Sequence, residues 1–369
     1  MGSGEITIES KRLAVVILGN IALRSSFRVL LRNIERERVV IRLLHLLQTQ
    51  NLREQIAESI FGALANFLLD KQMRKDFLNA AEDNIRDMMA CAYHKPGASL
   101  KLLGLLMNLS VEIKSIPVIW KAKGLDFCLE TLRENGEYDN DEVVTRAVGL
   151  LARLLGSATP VQRATLTHEK AMFDRIMALA DSIVEVGTEH EHASRRGDAV
   201  LRVFALCSIP VPMPKPMPHS LKQRLCRVRQ VSVAMLDWPW ISVRGNAALC
   251  ISRLTDVLKD AKDMEMMADA LPKLVKVSLS TRQSTSEMPL ATTITIPFVI
   301  HYHPQHRSLI SCPYVQILRE GDSTEGRMAQ KNAAIAAAKL ARHEPHRQRL
   351  RELHALQLIM SSAQHLLKP

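Results

Sequence analysis

Only 4% of the 369 residues are aromatic, although 47% are apolar. A core so poor in rings has to be filled by Leu, Ala, Val, Ile and Met, as in helices packed closely on one another. Acidic residues are also in deficit, 38 against 49 basic ones, which leaves a formal charge of +11. That balance favours an acidic peptide, a nucleic-acid backbone or an anionic surface, and does not choose among them. No apolar stretch approaches the length needed to span a bilayer. The opening MGSGEITIES lacks the apolar run of a secretory signal, and Ile6 stands where myristoylation needs Ser or Thr. The six cysteines, Cys91, Cys128, Cys207, Cys226, Cys250 and Cys312, include no CxxC pair and read as small buried hydrophobes of a reducing, cytoplasmic setting. P-loop, GxGxxG, HExxH and GxSxG signatures are missing, so nothing points to an enzyme or to a cofactor.

What the chain does contain is one recurring phrase. It runs Ala14–Leu18–Asn20–Ile21, Ile60–Leu64–Asn66–Phe67 and Leu102–Leu106–Asn108–Leu109. Weaker forms follow at Ala147–Leu151–Arg153–Leu154 and Ala199–Val203–Ala205–Leu206, then Ala247–Ile251–Arg253–Leu254 and Ala333–Ala337–Lys339–Leu340. The apolar members sit at i, i+4 and i+7 and make one helical stripe, while the residue at i+6 points elsewhere. That residue advances by 46, 42, 45, 52, 48 and 86 positions. Five of the steps match one period of a two- or three-helix solenoid repeat, and the last is about two.

The stretches LAVVILGNIA, SIFGALANFL, LKLLGLLMNLS, RGNAALCISRL and QKNAAIAAAKLA resemble the long third helix of armadillo repeats. IWKAKGLDFCLETL is similar to the family's glycine turn into its second helix, with Gly124 as the break, and VAMLDWPWISVRGNAALC to a second helix, short turn and third helix. The resemblance implies an all-α, right-handed superhelix of about seven partly degenerate repeats. HEAT repeats of similar period are the runner-up. RGNAALCISRL and QKNAAIAAAKLARHEPHRQRLRELHALQLI resemble more closely the armadillo half of tetratricopeptide-repeat proteins that help to assemble axonemal dynein arms. This implies a non-enzymatic scaffold or co-chaperone that binds chaperones or dynein subunits. Myosin-chaperone-like and nuclear-transport-type adaptors are the alternatives, and a basic nucleic-acid-associated repeat protein is a further one.

The first phrase opens directly on a third helix near residue 10, which predicts a bare apolar face around Val16, Ile17 and Leu18 and a chain truncated at its N-terminal end. Domain boundaries are expected at 1–277 for the main array, 278–317 for an irregular insertion and 318–369 for the last repeat. Prolines at every second position from Pro210 to Pro218 make 209–218 an extended connector. The Ser/Thr-rich insertion has a foreign composition, and removing its 40 residues turns the 86-residue step into 46. LREGDS after it reads as a second helix ending in a Gly–Asp turn.

The i+6 position carries the binding hypothesis. In armadillo proteins an Asn there holds the backbone of an extended peptide, since its amide both donates and accepts. The resemblance carries that role to Asn20, Asn66 and Asn108. Arg153, Arg253 and Lys339 depart from Asn and imply a basic strip for an acidic or extended protein segment. The plainer alternative is an amide satisfied within its own repeat. Charge reversal at the three basic positions is expected to weaken such binding without loss of helix. His301, His303, His306 and Cys312 match no zinc spacing, and His343 and His346 read as solvated. The runs Lys222–Arg224–Arg227–Arg229 and Arg342–Arg347–Arg349–Arg351 lack interleaved aromatics and read as solvated helix faces rather than nucleic-acid contacts.

Overall fold

A computed structural model describes residues 7–35, 38–48, 50–81, 84–134, 141–159, 163, 170–189, 192–207, 217–258, 264–279 and 314–353. Every regular element among them is helical. The chain divides into two compact units, Met1–Ser157 with Thr295–Val315, and Ala158–Ile294 with Gln316–Pro369.

The first unit holds α1 (Ile8–Ile21), α2 (Ser25–Glu35), α3 (Arg38–Gln48), α4 (Gln50–Phe67), α5 (Lys71–Ala81), α6 (Ile85–Ala92), α7 (Pro96–Leu109), α8 (Ser115–Lys121), α9 (Gly124–Glu134) and α10 (Asp141–Gly156). The phrase-bearing helices stack in order, α1 on α4, α4 on α7 and α7 on α10. Between them come pairs of shorter helices, so the chain recurs in threes: α2–α3–α4, α5–α6–α7 and α8–α9–α10. Starts are set locally. The Thr7 hydroxyl accepts the Ser10 N–H at 3.1 Å, and the Asp70 carboxylate accepts those of Gln72 and Met73. The turn before α9 departs from expectation. Lys123 (φ 69°) takes the left-handed conformation, and Gly124 opens the helix beyond it. A Cβ on Gly124 would lie 2.8 Å from the Ile119 carbonyl oxygen, so close approach rather than positive φ requires glycine there.

The second unit holds α11 (Lys170–Val186), α12 (Ala193–Cys207), α13 (His219–Met235), α14 (Ile241–Val257), α15 (Ala270–Leu279), α16 (Tyr314–Leu340) from Gln316 onward, and α17 (Glu344–Glu352). Here α12 stacks on α14, and α13 packs against α14. Helix α16 meets α14 at Gly245, where an added Cβ would stand 3.0 Å from the Ala329 Cα. LREGDS is not a separate helix, because α16 runs unbroken through Leu318–Ser323. A glycine inside a helix costs only about 1 kcal/mol relative to alanine, too little to end a long one.

The core is less purely aliphatic than composition suggests. Phe61, Phe67, Phe77, Phe127 and Phe204 are among the largest fully buried side chains; Tyr93 packs edge-on to Phe127, and Phe173 lies beside Phe204. Cys128, Cys207 and Cys250 are buried as expected, and burial pushes all three thiols up, Cys207 and Cys250 to about 12. A raised thiol pKa adds stability below the unfolded value near pH 9, which is lost as pH rises toward the folded value. The contribution of these thiols to the melting temperature should therefore be constant up to about pH 8.5 and fall above it. In the native protein an alkylating reagent should leave these three thiols unmodified while reaching the half-buried Cys226, as peptide mass spectrometry would show.

Residues 280–313, the body of the expected insertion, and 209–216 of the proline connector lie outside the described residues. The flanks are helical up to Leu279 and again from Tyr314, so 278–279 and 314–317 belong to helices. Replacing 280–313 by a flexible linker of about eight residues should leave a folded protein, more stable by about 1 kcal/mol from the shorter closure. Melting that variant beside the full chain checks this, and a lowered midpoint would give the segment a structural role.

Candidate partner-binding face

The i+6 side chains of the phrase form a ladder across neighbouring long helices. Asn66 Nδ2 donates to the Gly19 carbonyl at 3.0 Å, and Asn108 Nδ2 to the Ala65 carbonyl at 2.8 Å. Arg153 donates to the Met107 carbonyl at 2.6 Å, Arg253 to Ala205, and Lys339 Nζ to Ser252 at 2.9 Å. In four of these five rungs the acceptor lies one residue before the ladder position of the preceding long helix. Arg253 instead bonds at that position itself, Ala205.

The choice of acceptor follows from how a helix ends. Its last carbonyls lack intrahelical partners. After α1, the N–H groups of Ala22, Leu23 and Arg24 take the carbonyls of Leu18, Asn20 and Ile21, and Gly19 is skipped. After α4, those of Leu68, Leu69 and Asp70 take Leu64, Asn66 and Phe67, and Ala65 is skipped. The skipped oxygen is the one the next repeat's Asn caps. Arg153 and Lys339 bring a charge to the Met107 and Ser252 carbonyls, each of which also accepts a hydroxyl at 2.8 Å, from Ser110 and Thr255, and the charge suits the negative end of a helix. Thus Asn66, Asn108, Arg153, Arg253 and Lys339, read from sequence as groove positions, each bond a neighbouring long helix. Asn20 is exposed. Burial holds the Arg253 guanidinium below its ordinary pKa.

A second ladder lies seven residues earlier, two helical turns away on the same face. Arg146 donates to the Leu100 carbonyl at 3.1 Å, Asn332 to the Gly245 carbonyl at 3.1 Å, and Asn246 to the Asp198 carboxylate at 2.7 Å. Lys101 holds the same register and its side chain lies against Gly62. Burial, reinforced by the nearby Arg146 charge, lowers its pKa.

A third device escaped the sequence reading. Eight residues after the ladder position stand Arg28, Arg74 and Arg347, each bonded back onto the turn behind it. Arg28 reaches the Ala22 and Leu23 carbonyls at 2.7 and 2.9 Å, and Arg74 those of Leu68 and Leu69 at 2.8 and 3.2 Å. Arg347 reaches Ala341 and Arg342 at 3.1 and 3.4 Å. The identical offset from Asn20, Asn66 and Lys339 was the available signal.

Two other expectations change. The first basic run is not simply solvated: Arg229 is buried, Arg224 lies 3.8 Å from Asp174 and beside the Phe173 ring, and Arg227 pairs with Asp181. His346 is buried, its Nε2 2.7 Å from the Met264 carbonyl. One side of the short, otherwise charged α17 must pack, and His346 and Leu350 occupy it. In the second basic run Arg349 pairs with Glu352, and Arg347 and Arg351 with Glu344, all exposed. His301, His303, His306 and Cys312 lie outside the described residues. No single described helix is long and apolar enough to cross a membrane.

These units define an all-α protein of repeated helices. No family model matches the chain. Mouse tetratricopeptide repeat protein 12 is 24% identical over 269 residues, 72% of this chain and 29% of that protein. The chain thus spans under a third of that relative's length. Among solved structures, an engineered protein superposes at a TM-score of 0.56 with 15% identity, over 97% of this chain and 74% of its own. A second engineered protein, at 0.45 and 16% identity over 81% of this chain and 97% of its own, carries no weight for the fold.

Proposed function

We propose that the chain is a protein-binding scaffold of armadillo type, with about seven partly degenerate repeats wound as a right-handed superhelix. The observation that carries this is the stacking of long third helices, one per repeat, through a side-chain-to-carbonyl ladder at the repeat period. The extended surface such an array builds suits protein partners. We place the scaffold in the cytoplasm, acting as a co-chaperone or assembly factor for axonemal dynein arms, with chaperones or dynein subunits bound. The resemblance of the C-terminal third helices and the similarity to a tetratricopeptide-repeat protein support that assignment. The ion pairs of Arg224, Arg227 and Arg347 weigh against a nucleic-acid role.

Affinity purification from ciliated and non-ciliated cells tests the assignment. Dynein subunits or chaperones should be enriched from the ciliated lysate alone. Equal recovery of the same partners from both would overturn it. The basic strip needs a gentler probe than charge reversal. Arg153→Gln, Arg253→Gln and Lys339→Gln together keep an amide donor at each rung and remove the charge. An acidic partner should then bind more weakly at an unchanged melting temperature, and undiminished binding would move the contact off this face.

A further inference from the structure

Two of the described long helices, α1 and α16, expose complementary halves of the interface that joins repeats within the chain. At internal junctions, the later helix contributes its ladder residue and the residues three, seven and ten before it. The earlier helix contributes those one, four, eight and eleven before its own ladder position. Ala63 against Gly19, Lys101 against Gly62, Arg146 against Gly104 and Ala329 against Gly245 all follow that register. The residue three before is buried wherever a described helix covers it, as at Ala63, Leu105, Leu150, Cys250 and Ala336.

On α1 the later-helix half is open: Ser10 and Asn20 are exposed, Leu13 is 53% exposed and Ile17 50%. On α16 the earlier-helix half is open: Lys331 and Ala338 are exposed, Met328 is 55% exposed and Ile335 40%. After α16 the N–H groups of Ala341, Arg342 and His343 take the carbonyls of Ala337, Lys339 and Leu340. Ala338 is skipped, as Gly19 and Ala65 are. Laid in the internal register, Asn20 would meet the Ala338 carbonyl, Leu13 would cover Ile335, and Ile17 would lie on Ala338. Apolar meets apolar, and a donor meets the carbonyl it caps elsewhere.

We propose that these faces bind each other in trans: α1 of one molecule stacks on α16 of a second copy, head to tail, and continues the ladder between chains. The contact is heterologous, so it extends into open chains or closes into a ring rather than stopping at a symmetric dimer.

Three samples of the full chain, measured by sedimentation and light scattering over a range of concentrations, decide this. The unaltered chain should grow in mass with concentration. Ile17→Glu blocks the α1 face and Ile335→Glu the α16 face. Each variant alone should remain monomeric, its association weakened about tenfold or more. Mixed, they should form a one-to-one pair and nothing larger, because one intact face remains on each. Both substitutions are at exposed positions, and unchanged melting curves would verify folding, with Leu13→Glu as a second block of the α1 face. Association that survives Ile335→Glu but not Ile17→Glu would mean symmetric α1 pairing and overturn the proposal. So would a monomer at every concentration, which would leave α1 to a different partner.

Discussion

Replacing Gly245 by leucine is expected to lower the melting temperature of the second unit by about 6–12 °C, from a loss of about 3 kcal/mol or more. Helices α14 and α16 approach until an added Cβ at Gly245 would stand 2.9 Å from the Ala329 Cβ and 3.0 Å from its Cα. The obstacle is backbone and a methyl group, neither of which can rotate away. Relief therefore needs α16 to shift, and the shift also lengthens the bonds from Asn332 to Gly245 and from Lys339 to Ser252. Gly156, at the end of α10, is the control, since a Cβ there meets nothing within 4 Å. Leucine at Gly156 should be neutral or stabilising by up to about 1 kcal/mol, through helix propensity alone. Thermal melts by circular dichroism compare the two. Equal effects would mean that propensity, not close approach, sets the response at Gly245.

The long helices were the legible part of this fold. Each repeated phrase lies in one of them, from α1 to α16, because an apolar stripe at helical spacing is written into the residue order itself. The polar member was legible as a position and not as a role. Asn66 and Asn108 carry the amide a peptide ladder would use, and sequence order cannot show that the Gly19 and Ala65 carbonyls stand 3 Å away. Nor does it show that Arg28, Arg74 and Arg347 fold back onto the turns before them. That placement depends on the tight turn after each long helix, where one chain reversal brings two carbonyls within reach of a side chain six residues on. LREGDS misled for a related reason. Gly321 and Asp322 disfavour helix locally, but a small local cost does not stop α16.

Reversing charge at Arg153, Arg253 and Lys339 is expected to unfold the protein in part, where the sequence alone predicted intact helices and weaker binding. Each side chain is a donor to a carbonyl oxygen of the preceding long helix. A glutamate at the same place has no proton to give and sets a negative charge against that oxygen, at the negative end of a helix. At Arg153 the Ser110 hydroxyl would lose the donor it accepts from at 3.1 Å and keep its own bond to the Met107 carbonyl at 2.8 Å. At Lys339 the new carboxylate would face Asp256, whose own carboxylate is 2.5 Å from the lysine nitrogen. The Met107 and Ser252 carbonyls would keep the Ser110 and Thr255 hydroxyls that they also accept, so the cost is the lost charge-assisted bond, about 1.5–3 kcal/mol each and about 3–6 kcal/mol for the two changes in the second unit. Against a domain stability of about 5–15 kcal/mol, that is enough to broaden or abolish cooperative melting. The first unit, with Arg153 alone, should lose about half as much. The glutamine triple variant should melt like the parent, because an amide can still cap each carbonyl. If the glutamate variant kept its full helical signal and midpoint, the ladder would contribute little to stacking, and the face it occupies would be free to serve a ligand.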